Sequence, residues 1–209
     1  MINFNVHFAV EDMEGKTVLV FLKPQNPQRD YNIHAWRVLT GSAGASEQFS
    51  YVDQIETDLS STGDTLDEKI ISARATVQPG QLMQAVSPGG LSPHLQPAPT
   101  SLAQEKLTPQ QCGVINQTNP FIQFDCNWYV GGHPVVTMPK VDLNMTVSFE
   151  MMPGHFYFMV ASAPLAGQTY IVQNFSDMTE YVLPITATEV EVTLTRPSGL
   201  WTFEFMSLG

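Results

Sequence analysis

The stretch FDCNWYVGGHPVV, Phe124 to Val136, brings a cysteine, a tyrosine and a histidine into one short segment. A thiolate–imidazole pair is the chemistry these residue types suggest: the imidazole takes the thiol proton, and a third group orients the ring. The spacing argues otherwise. In an extended chain alternate side chains share a face, so Phe124, Cys126, Trp128 and Val130 fall together, and Asp125, Asn127 and Tyr129 fall opposite. That groups Cys126 with apolar neighbours rather than with His133. Gly131-Gly132 supplies the positive φ angles of a tight turn, and Pro134, which lacks an N–H, suits an edge or a strand start. The segment reads as a hairpin whose large residues fill a core, with Cys126 a small buried hydrophobe.

Other reactive side chains form no recognised pattern. His7, His34, His94, His133 and His155 show no HExxH-like spacing, and no metal site is expected from them. Cys112 and Cys126 are the only cysteines; they offer no zinc spacing, and a bridge between them is the alternative to two free thiols. Asp53, Glu56, Asp58, Asp64, Asp67 and Glu68 crowd one region but misfit the alternating acidic pattern of a calcium loop, so they read as a solvated acidic face. Glycoside hydrolysis would need two carboxylates about 5–10 Å apart across a cleft, which chain spacing does not define. There is no G-x-S-x-G elbow, and SPGGLSP lacks the lysine and following helix of a phosphate loop. The expectation is a non-enzymatic protein with no catalytic residues, no cofactor and no metal.

The elements that would position these residues belong to a 209-residue chain, 43% hydrophobic and only 14% charged, with a net charge of −11. Such a chain is long enough to bury a substantial core without disulfides. No cluster of lysine or arginine exists to neutralise a phosphate backbone or an anionic bilayer, so nucleic acid is not an expected partner. No apolar run reaches the ~18 residues of a membrane span. MINFNVHFAVEDMEGK has no basic leader, apolar core or small-residue cleavage site. Cytoplasmic synthesis without a cleaved signal peptide is expected, with export by a non-classical route left open. Sequons at Asn116, Asn144 and Asn174 carry little weight in that setting.

Period-two alternation dominates. Ile2, Phe4, Val6, Phe8 and Val10 share one face of INFNVHFAV; Leu143, Met145, Val147, Phe149 and Met151 do so in DLNMTVSFEM; Val190, Val192 and Leu194 do so in EVEVTLT. Further strands are expected at 17–22, 34–39, 47–52, 72–77, 81–86, 155–161, 169–175 and 200–206, separated by Gly- and Pro-rich turns. A short helix competes with a strand at 64–73. Residues 87–111, rich in proline, read as a long loop or insertion. The expected fold is all-β: an antiparallel two-sheet β-sandwich over 1–209 as a single domain, with the Pro-rich excursion and at most one short helix.

Aromatic residues supply the candidate interaction surface. Tyr129, Tyr157 and Tyr170 are set off from their strands' apolar faces, and Trp201, Phe203 and Phe205 line one side of the last strand. Where both faces of a strand are apolar, the Pro-rich loop or another molecule must cover the second. The blocks HAWRVL…EQFSY, VQPGQLMQAV, FDCNWYVGGHPV and VSFEMMPGHFYFMVA, taken in order, resemble poorly characterised microbial β-sandwich proteins of the rhizosphere-expressed RhiA type. The likeness rests on the hairpin Asn127 to Gly132 and on the strand and turn Val147 to Pro153, and covers about half the chain. The Pro-rich insertion has no counterpart in it. It implies an abundant, non-enzymatic protein and supplies no catalytic residues.

Together these readings point to a structural or interaction protein that self-associates as a homo-oligomer or assembly through aromatic and apolar strand faces. The alternatives are a lectin-like module with a glycan partner, and a hydrolase with residues from distant strands.

Overall fold

The computed structural model describes residues 1–25, 31–62, 69–162, 171–172 and 178–209. It is an all-β, sandwich-like fold with one α-helix among the described residues. The chain forms two compact units, one from Met1–Lys23, Ile33–Asp53 and Met152–Gly209, the other from Pro24–Asn32 and Gln54–Met151.

The first unit holds two four-stranded sheets. In one, β1 (Ile2–Phe8) lies between β5 (Ser46–Tyr51) and β17 (Glu189–Thr195), and β18 (Thr202–Leu208) flanks β17. The β1–β17 pairing is parallel, a departure from the antiparallel expectation; β5 and β18 pair antiparallel. The other sheet runs β16 (Thr179–Val182), β14 (Met151–Ser162), β2 (Lys16–Pro24), β4 (Arg37–Leu39). A short antiparallel pairing joins Ile171 and Val172 of β15 (Ile171–Val172) to His34 and Ile33 of β3 (Asn32–His34).

Alternation does what the sequence demanded: Phe4, Val6, Phe8, Val190, Val192 and Leu194 are all sealed from solvent. Phe4 stacks on Phe49 at 4.7 Å and meets Phe156 of the facing sheet at 4.8 Å. The expected strand 34–39 is broken, because Trp36 turns inward between β3 and β4. Its indole abuts Phe49, Tyr51 and Phe156 at 5.6, 5.9 and 6.0 Å.

In the second unit the expected hairpin forms: β11 (Phe124–Val130) and β12 (His133–Val141) pair antiparallel around Gly131 and Gly132, whose φ angles are 55° and 82°. β6 (Ile55–Ser61) pairs with the far side of β11, and β7 (Ala75–Val77) with β6. A second sheet runs β13 (Thr146–Phe149), β10 (Cys112–Asn116), β8 (Leu82–Val86), β9 (His94–Pro97), with β8 and β10 parallel. Trp128 of β11 stacks on Phe149 of β13 at 5.3 Å, closing one layer on the other.

Several expectations are corrected here. The run 142–151 is not one strand: Asn144 takes a left-handed φ of 59°, Met145 N–H donates to Asp142 C=O, and Leu143 is exposed. Residues 69–73 of the candidate helix 64–73 are not helical, and 63–68 lie outside the described residues. Among the described residues the α-helix is α1 (Thr100–Lys106), inside the Pro-rich stretch, which also contributes β9. That stretch covers the second face of its sheet: Ala98, Leu102, Ala103 and Leu107 pack on Leu82 and Ile115.

Gly113 makes the seat for this cover. A Cβ there would lie 2.8 Å from Leu107 Cδ2 and 2.9 Å from Leu82 Cδ1. Gly113→Val is therefore expected to cost about 1–3 kcal/mol through overpacking, seen as a lower denaturation midpoint with faster proteolysis at 98–111. An unchanged midpoint would show that the seat is slack.

Candidate functional site

The hairpin that opened the question of chemistry carries two distinct faces. On the apolar side, Cys126 is fully buried and His133, at the other end of the hairpin, is exposed. Thr57 of β6 donates its hydroxyl to Asn127 C=O at 2.8 Å, so its 3.4 Å contact with Cys126 Sγ takes the thiol hydrogen. Burial pushes the Cys126 thiol up to about 12, which disfavours the nucleophilic thiolate. Cys112 is likewise buried and is not part of a disulfide.

The opposite face holds a polar network that sequence reading missed. Cross-strand register sets Asp58 of β6, Asn127 of β11 and Thr137 of β12 in one row. Asn127 Nδ2 donates to Asp58 Oδ1 at 2.9 Å and Ser60 Oγ at 3.1 Å, and its Oδ1 accepts from Thr137 Oγ1 at 2.8 Å. Tyr129 OH donates to Asp58 Oδ1 at 3.1 Å, and Arg74 Nε lies 3.4 Å from Oδ2. The Arg74 guanidinium also sits 3.5 Å over the Tyr129 ring. Burial, then the Asp58 charge, raises the Tyr129 pKa and keeps its phenol a donor.

Asp58 was expected on a solvated acidic face; it is 2% exposed. A buried carboxylate persists only when paired and hydrogen-bonded, and both Asp58 oxygens have partners within this network. Its chemistry is that of a brace across three strands. Among the described residues, no three His, Cys, Asp or Glu side chains cluster as a metal site.

A second polar knot explains the sequon at Asn116. Its Nδ2 donates to Ile122 C=O and Val141 C=O, each at 2.9 Å, and its Oδ1 accepts from Thr118 N–H and Oγ1. The side chain is fully buried and committed to holding the 117–123 loop. Asn144 is exposed, and Asn174 lies outside the described residues.

The expected aromatic interaction surface is only partly at the surface. Tyr129, Tyr157 and Phe203 are buried, and Tyr170 lies outside the described residues. Tyr157 OH donates to Glu180 Oε1 at 2.7 Å, beside His155 Nδ1 at 2.9 Å from the same oxygen. Burial, with the Glu180 bond second, pushes Tyr157 up to about 12, while the His155 and Tyr157 bonds lower Glu180. Trp201 is half-buried under the Arg196 guanidinium, 4.6 Å from its ring. Phe205 is half-buried and stacks on Tyr181 at 4.5 Å. They are filler before they are glue.

What reaches solvent instead is the edge of the first unit. Leu200, Met206 and Leu208 on or beside β18 are exposed, as are Val182 and Ile185 near β16. Among the described residues no strand pairs with the outer side of β18. Native edges are normally blunted by shortness, proline, lysine or a bulge. β4, β7, β9, β13 and β16 are all short, and β9 carries Pro97. On β5, Ser50 C=O already accepts from Arg37 Nη2 at 3.0 Å. β18 has seven residues, TFEFMSL, in unbroken register with β17 and without proline, lysine or bulge; its one charged side chain is Glu204.

The buried acids also give an alkaline limit. Cys126 and Tyr157 are held near 12, and Tyr51 and Tyr129 are raised further, chiefly by burial. The folded state keeps protons that the unfolded chain releases at about pH 9–10. Their stabilisation is complete below that range and is lost as pH rises through the folded values. Denaturation midpoints are expected to fall steadily between pH 9 and 11; a flat profile would contradict this burial.

No family model matches the chain, and neither a curated protein nor a solved structure does.

Proposed function

We propose that this is a non-enzymatic structural or interaction protein that associates with itself through the β18 edge. The observation that carries the reading is this long strand, unpaired on its outer side among the described residues and flanked by exposed Leu200, Met206 and Leu208. Unpaired backbone groups in a row are a template for another strand, and few surface charges oppose close approach. The two buried thiols and the saturated Asp58 network are consistent with packing roles for the reactive side chains.

Light scattering across a concentration series is expected to show mass rising above 23.1 kDa, more readily as salt screens the net charge of −11. A strictly monomeric protein at millimolar concentration in high salt would overturn the reading.

One observation favours the lectin-like alternative. The outer face of β1 and its neighbours is a row of amides and acids, with Asn5 Nδ2 donating to Glu191 and Ser50 Oγ to Asn3 Oδ1. A shallow groove of about 220 Å³ is lined there by Asn3, Asn5, Gln48, Ser50 and Glu189. Planar hydrogen-bonding groups suit sugar hydroxyls, while the aromatic residues along this groove, Phe4 and Phe49, are buried. A glycan array with soluble protein discriminates the two readings: specific binding abolished by Asn5→Ala would favour the lectin.

A further inference from the structure

We infer that the self-association rests on a closed two-fold dimer in which β18 pairs antiparallel with β18 of a second copy, centred on Phe205. This deepens the proposed function and rests on it.

The direction of the free backbone groups follows from the sheet. Asn3 N–H donates to Thr188 C=O, with Asn3 opposite Glu189 in the parallel ladder. That geometry turns the even-numbered residues of β17 toward β1 and the odd-numbered ones toward β18. Glu189, Glu191, Thr193 and Thr195 stand opposite Leu208, Met206, Glu204 and Thr202, so those four residues of β18 spend their backbone groups on β17. The bond from Thr188 N–H to Leu208 C=O agrees. Phe203, Phe205 and Ser207 are left aiming N–H and C=O away from the sheet.

An antiparallel copy satisfies all three only in certain registers. Centred on Phe205, Phe205 meets Phe205 of the partner subunit, and Phe203 meets the partner's Ser207 and the reverse, giving about six backbone hydrogen bonds over the full strand. Glu204 then faces the partner's Met206, and Thr202 the partner's Leu208. Moving the centre to Glu204 would set two carboxylates directly opposite, which is destabilising, and would shorten the overlap. Moving it to Met206 also forfeits overlap.

The chosen register brings the exposed Met206 and Leu208 against partner side chains and covers the half-buried Phe205. Because the same edge serves both copies, the contact is isologous and closes at two. β5, the other edge of the sheet, has Ser50 C=O engaged by Arg37, which disfavours a head-to-tail filament.

The test combines proline substitution with engineered crosslinks. Proline at an outward-facing position of an edge strand removes no bond to its inner neighbour. Ser207→Pro is expected to match the thermal midpoint of Ser207→Ala and raise the dimer dissociation constant about thirtyfold, since two inter-copy hydrogen bonds go. Ser207→Ala, which also loses the bond to Tyr181 OH, should leave the dimer unchanged.

Oxidising the double variant Glu204→Cys/Met206→Cys should yield a crosslinked dimer, while neither single variant crosslinks. The native thiols are fully buried and do not interfere. Crosslinking of Glu204→Cys alone or Met206→Cys alone would overturn this register. A dimer indifferent to Ser207→Pro and uncrosslinked in the double variant would overturn the β18 contact while leaving self-association standing. A monomer at every concentration would overturn both.

Discussion

Trp36→Ala is expected to lower the stability of the protein by about 4 kcal/mol, within the range for emptying a large aromatic from a packed core. Trp36 is 1% exposed and makes edge-on or tilted contacts with Phe49, Tyr51 and Phe156. Its other neighbour raises the cost. The Arg37 guanidinium lies 3.9 Å over the indole, and burial holds Arg37 down to about 10. With the ring gone, that cation faces a void rather than a π surface. Urea unfolding followed by near-ultraviolet dichroism measures the loss. Trp36→Phe should recover more than half of it, and a loss under 1 kcal/mol for the alanine variant would show that the aromatic cluster is redundant.

Asp58→Ala is expected to cost about 3 kcal/mol for a different reason, because it strands several partners at once. Asn127 Nδ2 and Tyr129 OH lose an acceptor at a buried site, and each orphaned polar group costs about 1–3 kcal/mol. Arg74, whose side chain is 38% exposed, turns to water and adds little. Asp58→Asn keeps one acceptor oxygen but presents an amide to Arg74, so about 1–2 kcal/mol is expected. Denaturant midpoints of the two variants decide it. Equal and small losses would mean that water already satisfies the network.

These two sites differ in how far the sequence announced them. The core strands were legible because residues such as Phe4, Val6 and Phe8 alternate with Asn5 and His7 over a full strand, and one solvated face makes the period visible. β6 was hidden although it alternates as well. Ile55, Thr57 and Leu59 share a face, but Glu56, Asp58 and Ser60 on the other drew attention to charge instead. The useful signal was a polar residue opposite Asn127, and that appears only once register pairs Asp58 with it. Trp36 falls in a segment rich in strand formers, and only its inward turn shows that the ladder must break there. In the Pro-rich stretch, proline obscured Leu102, Ala103 and Leu107 at helical spacing, a pattern too short to register beside five prolines. Tyr129 and Tyr157 stand off their strands' apolar faces without being exposed, because their hydroxyls are bound by Asp58 and Glu180, partners that strand alternation does not reveal.

The parallel ladder between β1 and β17 has a consequence for biosynthesis. Asn5 and Glu191, which bond across it, are 186 positions apart. A ribosome releases the aromatic side chains of β1 long before the strand that encloses them exists, and β5 can shield only one flank meanwhile. Contacts of such long range delay folding and prolong exposure of sticky surface. Nascent chains arrested before residue 189 should therefore be captured by holding chaperones, and yield in cells should depend more on chaperone supply than on final stability.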